Sequence, residues 1–541
     1  MKVLLCYLCD YNDRHDYYLS LLPYGLISIA AFLEQKGMHP VLANFSKHGW
    51  RGAVKIIEKE KPDIIGISIF THNRTDSIKL IKEVKSQFPE IIIVAGGPHV
   101  SHLSEEFSRR IKQIDFLITG EGETACYDLI RKIEKGKVPE RITAGERLVE
   151  LDEIKPASNF TGRMIGINTN EQFKYLISSR GCPHECSFCC SPAFWKRKTE
   201  FRSAENLFNE VMHIHKKYGI IYFSIRDDNF TLRKDRVIKF SRLLRKSGIY
   251  MMWNCQSRVD TIDEDMLVEM KLSGLEHIQY GVESGSEKIL KLYGKSIKIS
   301  DILKACEITR KAGVYLSVYL MAGMAGENHG DIQKTIALMK KILPGDVVVS
   351  PAAYYPGTLL YNDMKKKGMI SDDIWFKNTS NGIFVRNDME VSNWINELIT
   401  YAGALRKKSW YNDKDFKAHR NFFKEKSWVT EILYGDFLLD TERFEEAETV
   451  YTGVALEYQN NAWPYLRLGK LKFITGDFLS SASFYRKVTE IVPDYYGGWL
   501  KLGECQIAAD NKIEAGGNIN TASKLNPDDS RISSMKKFLK A

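Results

Sequence analysis

The fold of this chain is decided by residues 180–189, which read Arg-Gly-Cys-Pro-His-Glu-Cys-Ser-Phe-Cys. Cys182, Cys186 and Cys189 follow the spacing Cys-x-x-x-Cys-x-x-Cys, directly after a strand predicted at Tyr175 to Ile177. Three thiolates on one loop can hold three corners of a four-iron cluster, which leaves the fourth iron open to a ligand from outside the protein. The alternative is a structural zinc site, but zinc favours four protein ligands, often from paired Cys-x-x-Cys modules, and the sequence has no second module.

The distribution of the ten cysteines along the chain supports metal binding rather than a disulfide framework. Four of the ten cysteines fall within residues 182–190, and the others are scattered. A disulfide framework would spread its partners along the chain, so a tight cluster favours metal or redox chemistry. Cys190 follows Cys189 directly, and its side chain would diverge from that of Cys189 on an extended loop. Cys6, Cys9 and Cys126 are interpreted as core residues.

Composition and charge exclude several classes of protein. The chain has 541 residues, of which 44% are hydrophobic and 27% charged, as in globular proteins and unlike disordered or collagen-like chains. The 77 basic and 68 acidic residues give a net charge of +9. These charges are spread along the chain without a long Lys/Arg block, so we expect no nucleic-acid partner.

We expect neither a targeting signal nor a membrane span from the N-terminus and the hydropathy pattern. The first residues, Met1 to Cys6, carry one positive charge and lack a secretory hydrophobic region with a small-residue cleavage site. No stretch approaches 18 uninterrupted apolar residues, so we expect no membrane span.

The pattern around the cysteine loop predicts an α/β barrel over residues 173–360. Six short apolar runs alternate there with helical patterns such as Ser203 to Tyr218 and Asp235 to Ser247. Six strand–helix repeats favour a whole or partial barrel. The predicted strands are Tyr175 to Ile177, Ile220 to Ile225, Met251 to Trp253, His277 to Val282, Val314 to Met321 and Val347 to Ser350.

Residues 1–145 predict a doubly wound, Rossmann-like domain. Apolar strands separated by helices indicate a parallel sheet covered on both faces, which binds ligands at the carboxyl ends of its strands. The polar and glycine-rich segments at those ends are Ser68 to Asn73, Gly96 to His99 and Gly120 to Glu123. The predicted strands are Val3 to Tyr7, Asp63 to Ile69, Ile91 to Ala95 and Asp115 to Ile118.

Three further regions complete the domain organisation. Residues 146–172 are interpreted as a connector, and residues 361–425 as an extension that covers the site or joins the modules. Residues 426–541 repeat with a period of 34, since Leu468-Gly469 recurs at Leu502-Gly503. A helical period of 34 residues resembles the tetratricopeptide repeat, whose concave surface suits a peptide or a helix. The alternative is that this module packs on the barrel or dimerises.

The cysteine loop and the segments after it resemble the radical S-adenosylmethionine (SAM) superfamily. The resemblance covers about residues 173–360 and includes Phe188 before the third cysteine. The matching segments appear in the order of that family: Asp227 to Phe230, Asn254 to Arg258, Gln279 to Gly285, Gly323 to Glu327 and Tyr355 to Thr358.

The resemblance implies that SAM chelates the open iron of a [4Fe–4S] cluster held by the three cysteines. Glu283, at a predicted strand end, would accept the ribose hydroxyls of SAM, and Arg258 would hold its carboxylate. The SAM-binding residues that the resemblance implies are Phe188, Asp228, Arg258, Gln279, Glu283, Ser284 and Gly323.

The N-terminal segments resemble the cobalamin-binding domain found upstream of many radical SAM barrels. Glycines at strand ends let the backbone approach a bulky ligand, whereas Gly-x-Gly-x-x-Gly and Walker patterns are absent from the sequence. The Asp-x-His-x-x-Gly motif of other cobalamin proteins is also missing, so His72 would either ligate cobalt or only fill its lower face. The implied cobalamin-binding residues are Pro23, Tyr24, Gly25, Ser68, Thr71, His72, Asn73, Gly96, Gly97, His99, Gly120, Glu121 and Gly122.

Together the two resemblances identify a cobalamin-dependent, class B radical SAM methyltransferase-like enzyme. They imply methylation of an unactivated substrate carbon through a 5′-deoxyadenosyl radical and methylcobalamin, with an external electron donor. They also imply an oxygen-labile cluster and therefore a cytoplasmic, anaerobic setting. Relatives that perform cyclisation or ring rearrangement without methyl transfer leave a second enzyme function open. A third interpretation is a repeat-based protein-binding scaffold with an inactive barrel. The repeats make a peptide, a protein or a carrier-bound molecule an attractive substrate.

Overall fold

A parallel sheet of seven strands forms the centre of the first domain. The computed structural model describes residues 1–9, 21–377, 380 and 382–540. The strands are ordered β6-β5-β4-β3-β1-β2-β7, and every pairing is parallel. The strands are β1 (Val3–Tyr7), β2 (Val41–Asn44), β3 (Ile64–Ser68), β4 (Ile92–Gly96), β5 (Phe116–Thr119), β6 (Ile142–Ala144) and β7 (Met164–Ile165).

Helices on both faces of this sheet confirm the predicted doubly wound fold. The strands are buried apolar runs, as expected for a sheet covered on both faces. Strand β7 lies within residues 146–172, so the predicted connector contributes an edge strand to the first sheet. The helices are α1 (Tyr24–Gln35), α2 (Gly49–Glu60), α3 (Arg74–Gln87), α4 (Pro98–His102), α5 (Ser104–Arg110) and α6 (Glu123–Glu134), followed by 3-10 turns at Leu151–Glu153 and Ala157–Asn159 and by α7 (Thr169–Gln172).

A second parallel sheet of six strands forms the partial barrel. Its order, β15-β14-β13-β12-β11-β8, is the order of the six predicted strands along the chain. A short antiparallel pair, β9 with β10, flanks the cysteine loop. The strands are β8 (Tyr175–Leu176), β9 (Ser179–Arg180), β10 (Glu200–Phe201), β11 (Tyr222–Ile225), β12 (Met252–Ser257), β13 (Leu275–Glu283), β14 (Tyr315–Ala322) and β15 (Asp346–Pro351).

The helices of the barrel follow the predicted pattern closely. Ser203 caps the first long helix by accepting a hydrogen bond from the Asn206 amide at 3.0 Å, and Gly219 ends that helix. The helices are α8 (Cys190–Phe194), α9 (Ala204–Tyr218), α10 (Lys234–Lys246), α11 (Glu264–Leu272), α12 (Glu287–Leu292), α13 (Ile299–Lys311) and α14 (His329–Ile342), with 3-10 turns at Phe230–Leu232 and Val259–Thr261.

The segment that follows the barrel strands contacts the first domain through hydrogen bonds and a packed aromatic ring. Arg74 of the first domain is 1% exposed and donates hydrogen bonds to the carbonyls of Trp375 at 3.1 Å and Ser380 at 2.7 Å. The Trp375 indole packs edge-on against His99, with ring centroids 5.4 Å apart. The elements here are β16 (Ala353–Tyr354), α15 (Leu359–Lys366), α16 (Ile374–Lys377), β17 (Ile383–Phe384), α17 (Met389–Ser409), which packs on β15, and α18 (Asp413–Phe422).

The last region consists of antiparallel helix pairs that repeat every 34 residues. The first helices of successive pairs begin at Trp428, Ala462 and Tyr496. In each pair a glycine lies against the second helix, and a Cβ at Gly469 would lie 2.8 Å from the Tyr485 ring. The helices are α19 (Trp428–Asp440), α20 (Phe444–Glu457), α21 (Ala462–Ile474), α22 (Phe478–Ile491), α23 (Tyr496–Ala508), α24 (Lys512–Leu525) and α25 (Ser530–Lys540).

The repeats pack on the amino ends of the barrel strands. Ile221, which precedes β11, and Met252, which begins β12, are buried in the same apolar cluster as Trp428. Tyr250 packs edge-on against Trp428, with ring centroids 5.6 Å apart. The aromatic residues of the repeats belong to this core or lie against it: Trp463, Tyr465, Tyr495 and Trp499 in this cluster, and Tyr496 against a smaller one beside it.

No helix within residues 1–9, 21–377, 380 and 382–540 is both long enough and apolar enough to cross a bilayer.

Candidate functional site

A cavity of about 570 Å³ lies between the carboxyl ends of the strands of the first sheet and the barrel. Residues of the first domain line one side, and residues next to the cysteine loop, Ser179 to Gly181, line the other. Aromatic rings from both domains contribute walls, among them Phe70 and Trp195. The volume is typical of a ligand site, and the position is where open α/β sheets bind their ligands.

Most of the predicted cobalamin-binding residues lie in the wall of this cavity. The glycines present backbone rather than side chain. Gly97 has φ +102, and a Cβ there would lie 2.7 Å from the Ile69 carbonyl oxygen, so only glycine fits. The predicted residues in the wall are Pro23, Tyr24, Gly25, Ser68, His72, Gly96, Gly97, Gly120, Glu121 and Gly122.

Three predicted residues are turned away from the cavity. Asn73 is fully buried, and its side chain donates to the Leu8 carbonyl and accepts from the Phe70 amide, so it braces the loop after β3. Thr71 and His99 share a hydrogen bond of 3.0 Å between Oγ1 and Nδ1. Burial, and then the positive charge of Arg74, lowers the pKa of His99 to about 3, so His99 is a neutral core residue.

His72 lies in the cavity wall and contacts its neighbours through both its edge and its face. Its Nε2 is 2.7 Å from the Tyr7 hydroxyl, and its ring lies 5.7 Å from that of Phe70. The hydroxyl of Tyr7 therefore orients the imidazole of His72 within the cavity.

A buried charge cluster connects the two domains beside the cavity. Arg180 Nη1 lies 2.6 Å from Glu121 Oε2, and Arg180 Nη2 lies 2.6 Å from Glu123 Oε1. Ser28 joins the cluster by donating to Glu123 Oε1 at 2.7 Å. The side chains of Arg180, Glu121 and Glu123 are 12%, 5% and 3% exposed. Arg180 precedes Gly181 and Cys182, so the first domain holds the start of the cysteine loop directly.

The pKa values of the two glutamates in the cluster are shifted in opposite directions. At Glu123, burial favours the neutral acid, but Arg180 and Ser28 outweigh it and hold the carboxyl pKa below its ordinary value. At Glu121, burial outweighs Arg180 and raises the carboxyl pKa. One guanidinium is shared between two carboxylates, with one nitrogen on each, and it outweighs burial only at Glu123.

The cysteine loop is fixed by backbone hydrogen bonds from both sides. The Ser187 amide donates to the Tyr293 carbonyl at 2.7 Å, and the Leu360 amide donates to the Ser187 carbonyl at 2.8 Å. The Cys189 amide donates back to the Cys186 carbonyl at 3.1 Å. Upstream, the buried carboxylate of Asp227 accepts hydrogen bonds from the amides and hydroxyls of Ser178 and Ser179. The loop that carries the three thiols therefore starts and ends on rigid elements.

The surroundings of the thiols suit a negatively charged metal–thiolate group. Burial raises the pKa of Cys182 and Cys189, so these thiols need a cation or a metal to be ionised. Arg258 supplies a positive charge, because its Nη1 lies 3.7 Å from Cys186 Sγ while Nε and Nη2 pair with Asp260. A cluster ligated by Cys182, Cys186 and Cys189, as the sequence predicts, would have this positive charge beside it.

The other predicted SAM-binding residues lie along the carboxyl halves of the barrel strands. Glu283 ends β13 with φ +66, a strained backbone conformation for a glutamate and one typical of functional sites. Its buried carboxylate accepts a hydrogen bond of 2.6 Å from Lys295 Nζ. Gln279 accepts from Arg226 at 3.1 Å and from Tyr319 at 3.0 Å.

The remaining members of the predicted set have different surroundings. Asp228 follows β11, lines the cavity and accepts a hydrogen bond of 2.6 Å from Ser191. Phe188 packs edge-on against Tyr293, with ring centroids 5.2 Å apart. Gly323 follows β14 with φ +95. Ser284 is fully buried and bonded within the core, to Thr335 and to the Ser286 amide, so the structure does not bring it to a ligand surface.

Several residues of the site were missed by the sequence analysis. Arg180 and Glu123 were missing from the predicted site set, although Arg180 stands directly before the Gly-Cys of the cysteine loop. Lys295 was also missed. It stands 12 residues after Glu283, and no motif in the sequence marks this position. Tyr7 and Trp195 carry no local motif, and only the tertiary fold brings them to the cavity.

The geometry defines the class of the protein: an α/β chain in which a cobalamin-type domain closes over a partial barrel that carries three cysteines on one loop. Comparison with known families gives the same class. Residues 176–339 match the Radical SAM superfamily, and residues 15–130 match the B12 binding domain. The chain therefore contains a region that matches the Radical SAM superfamily and a region that matches the B12 binding domain.

The chain is also similar to individual proteins over part of its length. It is 27% identical over 378 residues to a protein of Pyrococcus horikoshii named as an uncharacterized methyltransferase, and the match covers 66% of this chain and 82% of that protein. It is 24% identical to the anaerobic magnesium-protoporphyrin IX monomethyl ester cyclase of Rubrivivax gelatinosus, over 58% of this chain and 60% of the cyclase.

A solved structure shares the fold. The radical SAM methyltransferase TsrM of Kitasatospora setae, with cobalamin and a [4Fe–4S] cluster bound, superposes with a TM-score of 0.56 at 16% identity, over 68% of this chain and 78% of that chain. At this identity the likeness concerns the fold alone.

Proposed function

We propose that this protein is a cobalamin-dependent radical SAM enzyme that methylates an unactivated carbon of its substrate. The observation that carries the proposal is the single cavity of about 570 Å³, which is lined by the B12-binding domain on one side and by the start of the cysteine loop on the other. Two cofactors held on these two sides would face the same space, and a radical generated there must react before it is quenched.

The chain's own residues would have distinct tasks. Cys182, Cys186 and Cys189 would ligate a [4Fe–4S] cluster, and the strand ends around Glu283 would bind SAM. When bound, the cluster and SAM would supply a 5′-deoxyadenosyl radical, and cobalamin would supply the methyl group. The glycines and aromatic rings of the cavity wall would hold the cobalamin and exclude water.

Arg180 would act as the positioning residue between the two cofactor sites. It contacts Glu121 and Glu123 at 2.6 Å each, and it lies two residues before Cys182. Because the three side chains are buried, a shift of either domain would break charge-assisted hydrogen bonds in a low-dielectric environment. The cluster therefore favours one fixed separation between the B12-binding domain and the cysteine loop.

A cyclase function is the second candidate, because one of the similar proteins is named as a cyclase. Both functions would use the same cluster, SAM and cobalamin, and they differ in the fate of the methyl group of SAM. Turnover with methyl-deuterated SAM separates them: a labelled methyl group in the product supports methylation, and an unlabelled, cyclised product supports the alternative.

The first test is anaerobic reconstitution of the full chain with iron, sulfide and cobalamin. We expect about four irons and one cobalt per chain, and formation of 5′-deoxyadenosine from SAM under reduction. Iron without cobalt after gel filtration would remove the methyl-transfer mechanism. Zinc in place of iron, under conditions that exclude oxygen, would remove the radical SAM assignment as well.

A further inference from the structure

The cavity between the domains is lined by two arginines whose charges are treated differently. Arg180 is one of them, and its guanidinium is compensated by Glu121 and Glu123 at 2.6 Å each. The other is Arg226, which directly follows β11. Within the part of the chain that the structure describes, Arg226 forms no ion pair with a carboxylate. Its positive charge is therefore not neutralised by the described protein groups.

Neutral groups hold the guanidinium of Arg226 in place. Its Nη1 donates to the side-chain oxygen of Gln279 at 3.1 Å, and the same oxygen accepts from the Tyr319 hydroxyl at 3.0 Å. Its Cζ lies over the Tyr175 ring, 5.3 Å from the ring centroid. Among the described residues, Nε and Nη2 have no hydrogen-bond partner. These two nitrogens present parallel N–H groups, which is the edge of arginine that pairs with two oxygens of one anion.

The charge of Arg226 needs a counter-ion once ligands fill the cavity. Aromatic side chains such as Phe194 and Trp195 contribute to the lining, so a bound ligand would leave little water around the guanidinium. A charge without water or a counter-ion carries a large desolvation cost. Asp228 also lines the cavity, but its carboxylate accepts from the Ser191 hydroxyl at 2.6 Å and does not pair with Arg226. The ligand itself would therefore have to supply the anion.

The position of Arg226 is separate from the two cofactor sites proposed above. Glu283, which we assign to the ribose of SAM, ends β13, and β12 lies between β13 and β11. Since neighbouring strands are about 4.8 Å apart, the ends of β11 and β13 are about 10 Å from each other. The glycines assigned to cobalamin belong to the first sheet, on the other side of the cavity. The edge of the cavity beside Arg226 is therefore a place for a third molecule, the substrate.

We propose that Arg226 determines substrate specificity by binding an oxyanion group of the substrate, a carboxylate or a phosphate, through Nε and Nη2. The substrate is then an anionic molecule, and neutral analogues without the oxyanion are rejected because they leave the guanidinium unpaired. The inference rests on the proposed function, because it concerns the molecule that the methylating enzyme would act on.

Binding of three small aromatic probes tests the inference. Benzoate and phenyl phosphate carry the two kinds of oxyanion, and benzamide is a neutral molecule of the same shape as benzoate. Each probe is measured by equilibrium dialysis against the full chain reconstituted with cluster, cobalamin and SAM, without a reductant. We expect at least one anion to bind and benzamide not to bind, and the tighter anion identifies the oxyanion. Arg226→Gln should raise the Kd of that anion by roughly tenfold or more, because charge-assisted hydrogen bonds are lost.

Two further variants serve as controls. Arg226→Lys keeps the charge but loses the paired donors, so it should bind the anion with intermediate affinity. Arg242→Gln makes the same change at an arginine of α10 that is 56% exposed, and it should leave the Kd unchanged. Equal Kd values for the wild type and Arg226→Gln would overturn the proposal. Benzamide binding as tight as that of the anions, or no binding of either anion to the wild type, would also overturn it.

The affinities for the cofactors distinguish a substrate contact from a cofactor contact. Arg226→Gln should bind cobalamin and SAM with the wild-type Kd, which would also show that the variant is folded. A weaker Kd for either cofactor would assign the guanidinium to that cofactor and overturn the proposal.

The uncoupled reaction separates this inference from the proposed function. With dithionite and no substrate, the wild type and Arg226→Gln should form 5′-deoxyadenosine from SAM at the same rate. If the wild type forms none, the proposed function fails, whereas anion binding that depends on Arg226 is measured without turnover and stands or falls independently.

Discussion

The two ends of the barrel contact their neighbouring domains in different ways. At the carboxyl ends of the strands the contact with the first domain includes a buried charge cluster, with Arg180 between two buried glutamates beside a cavity. At the amino ends the contact with the helical repeats is apolar and closed, with Ile221 and Met252 in one cluster with Trp428.

This difference between the two ends of the barrel places the proposed chemistry at one end and contacts that mainly stabilise the fold at the other. Barrel proteins place their chemistry at the carboxyl ends of the strands, where loops vary, and use the opposite end for packing. Apolar burial stabilises without specifying a precise distance, whereas a guanidinium shared between two buried carboxylates fixes geometry at a cost in desolvation. Changes at the two ends should therefore have different consequences.

The largest expected effect is loss of chemistry at the polar end. Cys186→Ala should abolish 5′-deoxyadenosine formation from SAM, because the cluster would lose one of three protein ligands. The neighbouring Cys190→Ala, which removes a thiol that we do not assign as a ligand, should retain activity and iron content. Normal 5′-deoxyadenosine formation by the Cys186 variant would refute the assignment of the loop.

The second effect concerns the charge cluster between the domains. Arg180→Met leaves Glu121 and Glu123 buried without a cation, and it should lower the free energy of unfolding by about 3–5 kcal/mol, as loss of one partner of a buried pair does. It should also weaken cobalamin binding, which absorbance titration measures. Adding Glu121→Gln and Glu123→Gln to Arg180→Met should restore much of the stability but not the cobalamin affinity. Recovery of both would mean that the cluster has no positioning role.

The third effect is purely structural and lies at the apolar end. Ile221→Ala, at a buried position between barrel and repeats, should lower the free energy of unfolding by about 2–4 kcal/mol in denaturant titrations. The rate of 5′-deoxyadenosine formation per folded molecule should not change. Leu479→Ala, at a repeat position that is 78% exposed, is the control and should alter stability by less than about 0.5 kcal/mol. A loss of SAM cleavage in Ile221→Ala would contradict the separation of the two ends.

The strands, and the grouping of their carboxyl ends at one edge of each sheet, were predicted better from the sequence than the contacts between domains. Six barrel strands and the glycine loops of the first sheet follow local patterns, and parallel topology then brings the loop ends together. The pairing of Arg180 with Glu123 joins residues 57 apart and has no local signature. Strand β7, which lies in the predicted connector, was not predicted either, because a strand of two residues is too short to give a hydrophobic pattern in the sequence.

The direction in which individual side chains point was also not predictable from the sequence. His99 and Asn73 stand in the predicted loops, yet both side chains turn into the core, where Asn73 binds backbone groups and His99 packs on Trp375. A loop position predicts proximity to a ligand, whereas the choice between core and cavity depends on neighbours from other segments. The segment of residues 353–385 shows the same limit, since its partner, Arg74, lies some 300 residues away.

The smallest effect is a pH dependence at the polar end. The pKa of His99 is about 3 in the folded protein, below its ordinary value of 6.5, so the unfolded chain binds more protons as pH falls below 6.5. Stability should therefore fall with pH from about 6.5 towards 3. His99→Gln should remove roughly 1 kcal/mol of the loss between pH 7 and 5.5, measured by urea titration at both values. Equal slopes for variant and wild type would place the acid sensitivity elsewhere.

The constant step of the terminal helix pairs has a consequence for protein engineering. Pairs beginning at Trp428, Ala462 and Tyr496 differ by one translation along the chain, and each small residue that seats the next helix recurs with it. Because each pair contacts mainly its neighbours, a fourth pair copied from this series and inserted directly before α25 would find its contacts with the third pair already matched. Such an insertion would move only α25 outward by one step and would keep the contacts of the third pair with the rest of the molecule, such as the hydrogen bond of 3.0 Å between Asn168 and Asn526, which makes this end suitable for tethering the protein to a surface.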